Sequence, residues 1–257
     1  MTNKLPKVSI ITAVFNGEQT VGQTITSIKG QTYKNIEHII IDGNSVDNTL
    51  DVIKSHNHPK LRILSAPDQG IYHALNKGIM LSTGDIIGFV HSDDFLCKEN
   101  AIKKIVQAFS MTHTLAVYSD LDYVAQSDPS KIIRHWSAGT FSPSRLKHGW
   151  MPPHPTLYLS RSAYEKYGMF KTDYRVAADY EFILRVFSQI NSNVYYIPET
   201  LYKMRTGGIS TTNILTKMRE DYRAMRAHKT GNVITLLRKS LSKIKQFKWN
   251  NMILGKS

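Results

Sequence analysis

Five short runs rich in β-branched residues dominate the first half of the chain, and each is separated from the next by a segment of helical spacing. The runs are Val8–Val14, Ile36–Asp42, Leu61–Ser65, Ile86–Val90 and Leu115–Tyr118, with helical patterns at about Thr20–Lys29, Asn48–Ser55, Gly70–Leu81 and Asn100–Ser110. Alternation of this kind predicts βαβ units, whose strands lie side by side in a mostly parallel sheet covered by helices. Ligands of such sheets bind beyond the carboxyl ends of the strands, so the residues that follow each run are where chemistry is expected.

The fourth run leads directly into His91-Ser92-Asp93-Asp94. Two hard oxygen donors at a strand end suit a divalent cation that in turn holds a phosphate. The plain alternative is that Ser92, Asp93 or Asp94 caps the following helix. Strand two ends in Asp42-Gly43-Asn44-Ser45-Val46-Asp47-Asn48-Thr49, a polar loop opening onto a helix. Such a loop offers acceptors and helix-start amides to a base and ribose, or is an Asp-Gly turn followed by an N-cap.

Beyond about residue 125 the rhythm changes to Lys131-Ile132-Ile133-Arg134-His135-Trp136 and then to a Pro-, Gly- and aromatic-rich stretch. Pro152, Pro153 and Pro155 hold the backbone extended around His154, presetting a polar group. A helix is predicted from about Ala178, with Phe182, Ile183, Val186, Phe187 and Ile190 on one face and Asp179 in its first turn.

The net charge of +13 is unevenly placed. From Lys217 to Ser257 eleven Lys and Arg face only Glu220 and Asp221, a net +9 that leaves +4 for the preceding body. Val233, Leu237, Leu241 and Ile244 recur at helical spacing among Arg238, Lys239, Lys243 and Lys245, followed by Phe247 and Trp249. A basic amphipathic helix of this type either attaches to an anionic membrane surface or docks on the body with a solvated basic face. A single cysteine, Cys97, excludes an internal disulfide framework and fits a reducing compartment such as the cytoplasm. The N-terminal residues lack an apolar signal region, and no run approaches the roughly 18 apolar residues of a spanning helix. The chain is therefore expected to be neither exported by a signal peptide nor threaded through a bilayer. Nucleic-acid binding is disfavoured, because the aromatics are scattered through the body while the charge is terminal.

In chain order, Val8-Ser9-Ile10-Ile11-Thr12-Ala13-Val14-Phe15-Asn16, Ile41 to Thr49, Asp68-Gln69-Gly70-Ile71-Tyr72-His73-Ala74-Leu75-Asn76-Lys77-Gly78, Thr83 to Asp94 and Ala178-Asp179-Tyr180-Glu181 resemble the family 2 glycosyltransferases. The resemblance spans roughly residues 7 to 210. It implies a GT-A fold, Rossmann-like α/β with a mostly parallel central sheet flanked by helices, here with a basic helical extension at the C-terminus. The expected organisation is a catalytic domain over 1–212, with a nucleotide-sugar-binding half over about 1–124 and an acceptor-side half over 125–212, followed by the tail over 213–257. It further implies that Thr12, Ala13, Phe15, Asn16 and Asp42 border the nucleotide base, that Ser45 and Asp47 shape the same loop, and that Asp68, Asn76 and Lys77 close under nucleotide and sugar. Asn76-Lys77-Gly78 reads equally as a helix C-cap.

Asp93 and Asp94 match the family's metal-binding element for Mn²⁺ or Mg²⁺, with Asp93 also at the donor. His91 stands where that element often has Asp or Asn; it is a further ligand or, as favoured here, the two aspartates suffice. Asp179 matches the catalytic base, although Ala178 replaces the usual glutamate before it. His154 falls where acceptor or occasional metal contacts occur, unless it is simply bonded in its turn. Arg205, in Arg205-Thr206-Gly207-Gly208-Ile209-Ser210, matches a segment near the donor phosphates, or is a surface arginine beside a turn.

The activity implied is inverting transfer of a sugar from a nucleotide-diphosphate donor, with UDP favoured by the resemblance, to a saccharide or lipid-linked acceptor in surface polysaccharide biosynthesis. Departure of a diphosphate needs stabilised negative charge, which a cation on the aspartates supplies, and the acceptor hydroxyl needs one base, Asp179. A retaining route would require a second carboxylate, and Glu181 at i+2 points away from Asp179. A silent nucleotide-sugar-binding module would be expected to have lost the base or the metal pair. A nucleotidyltransferase would want a Gly-rich loop after strand one, which Phe15-Asn16-Gly17-Glu18 is not.

Overall fold

The computed structural model describes residues 5–56, 58–190, 193–207 and 214–239. The strands are β1 (Val8–Val14), β2 (Ile36–Asp42), β3 (Leu61–Ser65), β4 (Ile86–Phe89), β5 (Phe95–Leu96), β6 (Ala116–Val124), β7 (Ile132–Trp136), β8 (Tyr158–Ser160) and β9 (Val194–Arg205). The helices are α1 (Val21–Lys29), α2 (Thr49–Ser55), α3 (Ile71–Leu81), α4 (Ala101–Thr112), α5 (Pro143–Leu146), α6 (Arg161–Tyr167), α7 (Ala178–Phe187) and α8 (Ile214–Ala227). A 3-10 turn covers His154–Thr156, and residues 233–239 are helical.

All nine strands join one sheet in the order β3-β2-β1-β4-β8-β6-β9-β5, with β7 added on β6. The first four are parallel, as the β-branched runs predict, and Val14 stands beside Asp42 while Ile11 stands beside Phe89. Their carboxyl ends therefore open on one edge, which gathers the loops at 15–17, 43–48 and 90–94. β8 is antiparallel to both neighbours, with Ile86 opposite Ser160 and Ala116 opposite Leu159. It thereby joins the parallel half to a second half in which β9 runs parallel to β6 and antiparallel to β5.

Successive side chains of a strand point to opposite faces, and both faces here are covered. Ile11, Ile39, Ile41, Ile87 and Leu159 pack with α3, α6 and α7 through Leu75, Ala163, Phe182 and Phe187. Ile10, Ile86, Val117 and Tyr158 pack on the other face with α4 through Ile102, Ile105 and Phe109. Close approach across β4 is permitted by Gly88, where an added Cβ would lie 2.2 Å from the Tyr158 ring.

The predicted elements recur with ends moved by one or two residues, except that β6 extends six residues past Tyr118 to Val124. One correction concerns the aspartates. β5 intervenes after Asp94, and α4 begins at Ala101 with Asn100 in the cap position, so neither aspartate caps a helix. The start of the tail docks on the body through one face. Leu236 is buried in the main core, the Thr235 hydroxyl donates to the Lys147 carbonyl, and Lys239 pairs with Asp221 at 2.9 Å while lying over the Tyr180 ring. The predicted stripe continues through Leu241 and Ile244, which with Lys243, Lys245, Phe247 and Trp249 lie outside the described residues, as do Gly208, Ile209 and Ser210.

Candidate active site

The loop after β4 is fastened by its own backbone and by buried hydroxyls. Asp94 N donates to the His91 carbonyl at 3.0 Å, the Thr24 hydroxyl lies within reach of the carbonyls of His91, Ser92 and Asp94, and the Tyr202 hydroxyl accepts His91 N at 3.2 Å. Such anchoring fixes which side chains face outward. Asp93 is half-buried and open to the strand-end cleft, whereas Asp94 is fully buried, its Oδ1 accepting Arg205 N at 3.1 Å. Burial and the neighbouring Asp93 charge push the Asp94 carboxyl well above the usual range, and the Arg205 contacts only partly oppose this. The pair thus divides in setting: Asp93 is half-buried, and Asp94, expected as a second metal ligand, is buried with Oδ1 on the Arg205 amide of β9 and Oδ2 without a hydrogen-bond partner.

Arg205 underlies the same loop rather than standing free at the surface. Its guanidinium donates to the Asp93 carbonyl and to Gln23, with its carbon 5.4 Å from the Phe95 ring centre. Arg205 is 5% exposed, which corrects the surface alternative and makes it a prop of the Asp93 loop.

Across the β4–β8 junction the 3-10 turn presents His154, whose ring lies 5.9 Å from that of His91. His154 Nδ1 is 3.3 Å from Asp179 Oδ2, and the Tyr72 hydroxyl is 3.1 Å from Asp179 Oδ1 and 2.9 Å from the Val176 carbonyl. Burial raises the Asp179 carboxyl, but His154, Lys217, the Tyr180 amide and Lys239 together outweigh it and hold the group below its ordinary value. Buried His91 has its basicity lowered by desolvation, with Asp93 and Asp179 pulling the other way, so it senses both carboxylates. His91, Asp93, His154 and Asp179 therefore share one cleft. Glu181 points elsewhere: it is fully buried and held by Lys171, Arg185 and His228, each at 2.9 Å.

The segment ahead of α7 is organised from α8. Glu220 accepts the backbone amides of Arg175, Val176 and Ala177 at 2.8, 2.8 and 2.9 Å. Neither Glu220 nor Tyr72 was assigned a role from sequence. Tyr72 sits within a recognisable motif, but Glu220 lies 41 residues from Asp179 and only tertiary structure joins them.

At the other end of the cleft, Phe15 is 63% exposed and its ring lies beside Gly43, where a Cβ would stand 3.5 Å away. Asn16, at φ 50°, donates its amide to the Ser45 hydroxyl at 2.8 Å and accepts Val46 N at 3.0 Å, tying the first loop to the second. Asp42 is fully buried and accepts from Ser45 and Ser65; Asp47 accepts Thr49 N at 3.0 Å, so both shape the loop. Thr12 is also buried, donating to the Val90 carbonyl, and Ala13 is nearly so. Asp68 pairs with Lys77 at 2.6 Å and His73 at 3.3 Å, leaving its buried Oδ2 without a hydrogen-bond partner. Asn76 spends its amide on Phe170, donating to the carbonyl at 2.8 Å and accepting the N–H at 3.0 Å. Among the residues predicted to meet the donor, Phe15 and Asn16 are thus the exposed ones, Ser45, Asp68, Lys77 and Asp93 are half-buried, and Thr12, Ala13, Asp42 and Asn76 lie beneath.

Among the described residues no three His, Cys, Asp or Glu side chains form a metal-holding cluster. A Mn²⁺ or Mg²⁺ carried on a diphosphate needs only one or two protein donors, and open Asp93 beside the unpartnered, buried His91 Nδ1 fits that requirement.

Solved structures share this architecture. Staphylococcus aureus TarS 1-349 in complex with UDP-GlcNAc superposes with a TM-score of 0.72 at 16% identity, covering 86% of this chain and 65% of that one. The mannosyltransferase PcManGT of Pyrobaculum calidifontis, in complex with GDP-Man and Mn²⁺, superposes with a TM-score of 0.66 at 17% identity, over 88% of this chain and 64% of that one. The chain thus spans just under two thirds of these neighbours, and the likeness establishes the GT-A fold. An uncharacterized glycosyltransferase of Mycobacterium tuberculosis is 32% identical over 182 residues, 70% of this chain and 68% of its own length. The sequence profile of glycosyl transferase family 2 matches residues 9–172, and the chain belongs to that family of transferases.

Proposed function

We propose that the chain is an inverting glycosyltransferase that moves a sugar from a nucleotide-diphosphate donor, a UDP-sugar, to a hydroxyl of a saccharide or lipid-linked acceptor in surface polysaccharide biosynthesis. The observation that carries this reading is one carboxylate, Asp179, that shares the strand-end cleft with His91 and His154. Asp179 is held in its ionised form, and Glu181 is engaged by Lys171, Arg185 and His228. One base supports one displacement. A carboxylate offers about four lone-pair positions. Tyr72 and His154 take one on each oxygen, which leaves room for an acceptor hydroxyl to bond and then surrender its proton.

On the donor side, exposed Phe15 offers a face for the base, and Asp93 with His91 offers donors to a divalent cation. Such a cation, when bound, neutralises charge developing on the leaving diphosphate. The domain division at residue 212 and an association with the inner face of the cell membrane through the C-terminal segment belong to the same proposal. No helix among the described residues is long and apolar enough to cross a membrane.

The test is a screen of UDP- and GDP-sugars for transfer and donor hydrolysis with and without Mn²⁺ or Mg²⁺, followed by proton NMR of the product anomer. Asp179→Asn should lower kcat at least 10³-fold, on the order expected for loss of a general base, and leave donor affinity nearly unchanged. Turnover of that variant near the parent rate, or a retained anomeric configuration, would remove Asp179 from the role.

A further inference from the structure

The helical stretch 233–239 divides cleanly around its axis at about 100° per residue. Thr235, Leu236 and Lys239 face the body, whereas Val233, Ile234 and Leu237 are 55%, 59% and 51% exposed on the opposite arc. Three large aliphatic side chains on one exposed arc are an unusual surface for a soluble helix. Immediately before them lies a cavity of about 520 Å³ lined by Lys147, Arg226, Lys229, Thr230, Gly231, Asn232 and Thr235. Its three cationic side chains reach it from α8, from the loop after it and from the turn after α5. Each is exposed, and no ion pair engages any of them among the described residues. Along α8, Leu215, Arg219, Tyr222 and Arg226 recur at spacings of four, three and four, all exposed, so they form a row that ends at the cavity.

We propose that this composite surface docks an anionic lipid bilayer, with a lipid phosphate seated among Lys147, Arg226 and Lys229 while Val233, Ile234 and Leu237 enter the headgroup layer. Charge complementarity selects the occupant. The C-terminal segment carries a net +9, and apolar side chains rimmed by unpaired cations match an interface that is acidic outside and hydrocarbon inside. Docking by one arc onto the body and by the other onto lipid makes the two sequence-level readings of the tail compatible. The inference refines the membrane association proposed above and is independent of which sugar is transferred.

The experiment is co-sedimentation of the full chain with phosphatidylcholine vesicles with and without phosphatidylglycerol. Wild type should bind only the anionic vesicles, and binding should weaken with added salt. Lys147→Gln, Arg226→Gln and Lys229→Gln should each reduce binding roughly fivefold, the effect of about 1 kcal/mol per basic residue at a membrane surface. Val233→Ser with Leu237→Ser should reduce binding to anionic vesicles without altering thermal unfolding. Asp179→Asn should bind vesicles like wild type, which separates this inference from the catalytic one. Equal binding to neutral vesicles, undiminished binding of the triple glutamine variant, or a vesicle-free dimer that covers Val233 and Leu237 would overturn it.

Discussion

Glu220→Gln tests whether the proposed base Asp179 depends on a carboxylate that reaches it only through the backbone ahead of α7. The carboxylate accepts three backbone amides just ahead of α7. Hydrogen bonds to a charged group contribute about 1.5–3 kcal/mol and neutral ones about 0.5–1.5 kcal/mol. A glutamine oxygen in the Oε2 position keeps Val176 and Ala177 at the lower strength, but its NH₂ then faces the Arg175 N–H and that bond is lost. The gross cost is about 3 kcal/mol, reduced to about 1.5–2 kcal/mol because Glu220 is only half-buried and water replaces part of it. The Val176 carbonyl is a partner of the Tyr72 hydroxyl, so displacement of this segment loosens Tyr72 and Asp179 together. Expressed wholly at the transition state, that cost lowers kcat roughly 10–30-fold. Donor KM should move less than twofold, since Phe15 and Asp93 lie on other loops. Initial-rate kinetics over donor concentration, with thermal unfolding in parallel, provide the measurement. A kcat within twofold of wild type, or an equal rise in KM, would refute the positioning role.

Gly88→Ala places a methyl against the Tyr158 ring in a filled core and should cost about 3 kcal/mol, lowering Tm by at least about 6 °C in a scanning calorimeter. Glu181 should govern acid stability. Its hydrogen bonds to His228 and Lys171 and the charges of Arg185 and Lys171 outweigh burial and hold it down at about 2 from an ordinary 4.5, a difference worth about 3 kcal/mol. A depressed carboxylate contributes that stability above pH 4.5 and loses it as pH falls toward about 2. The urea midpoints of wild type and Glu181→Gln should therefore lie far apart at pH 7, draw to less than half that gap by pH 3 and converge near pH 2; a constant gap would show that pairing is not the cause.

The parallel half of the fold was legible because β1, β2 and β4 are apolar runs buried on both faces, a pattern that survives in one dimension, whereas the edge strand β3 is exposed along most of its length. The second half was not. β9 contains Pro198, Glu199 and Lys203, β5 and β8 span two and three residues, and β6 and β9 shift register at Asp120, so no period announces them. The candidate site was legible as residue types rather than as directions. Asp93 and Asp94 are adjacent in a turn whose Asp94 amide bonds back to the His91 carbonyl. The half-buried setting of one and the full burial of the other come from Arg205 and Thr24, which nothing local announces. Arg205 was found by its motif, but its burial follows from β9 passing β5, which no local signal encodes. Tyr72 and Glu220 act over 107 and about 40 residues, distances at which sequence alone offers no partner.

The antiparallel strand β8 has a consequence for how such a site can vary. β4 and β8 are hydrogen-bonded neighbours, and His91 follows one and His154 precedes the other at the same sheet edge, with their rings 5.9 Å apart. If the two histidines serve the donor and acceptor sides as proposed, their spacing is expected to follow the pairing of β4 with β8 rather than the length of the stretch before Pro153. Insertions between Ala125 and Pro153 can remodel what approaches the cleft and leave its reaction distance unchanged. Acceptor choice and reaction geometry thus become separable variables, and grafting that stretch from a relative should exchange the first without detuning the second.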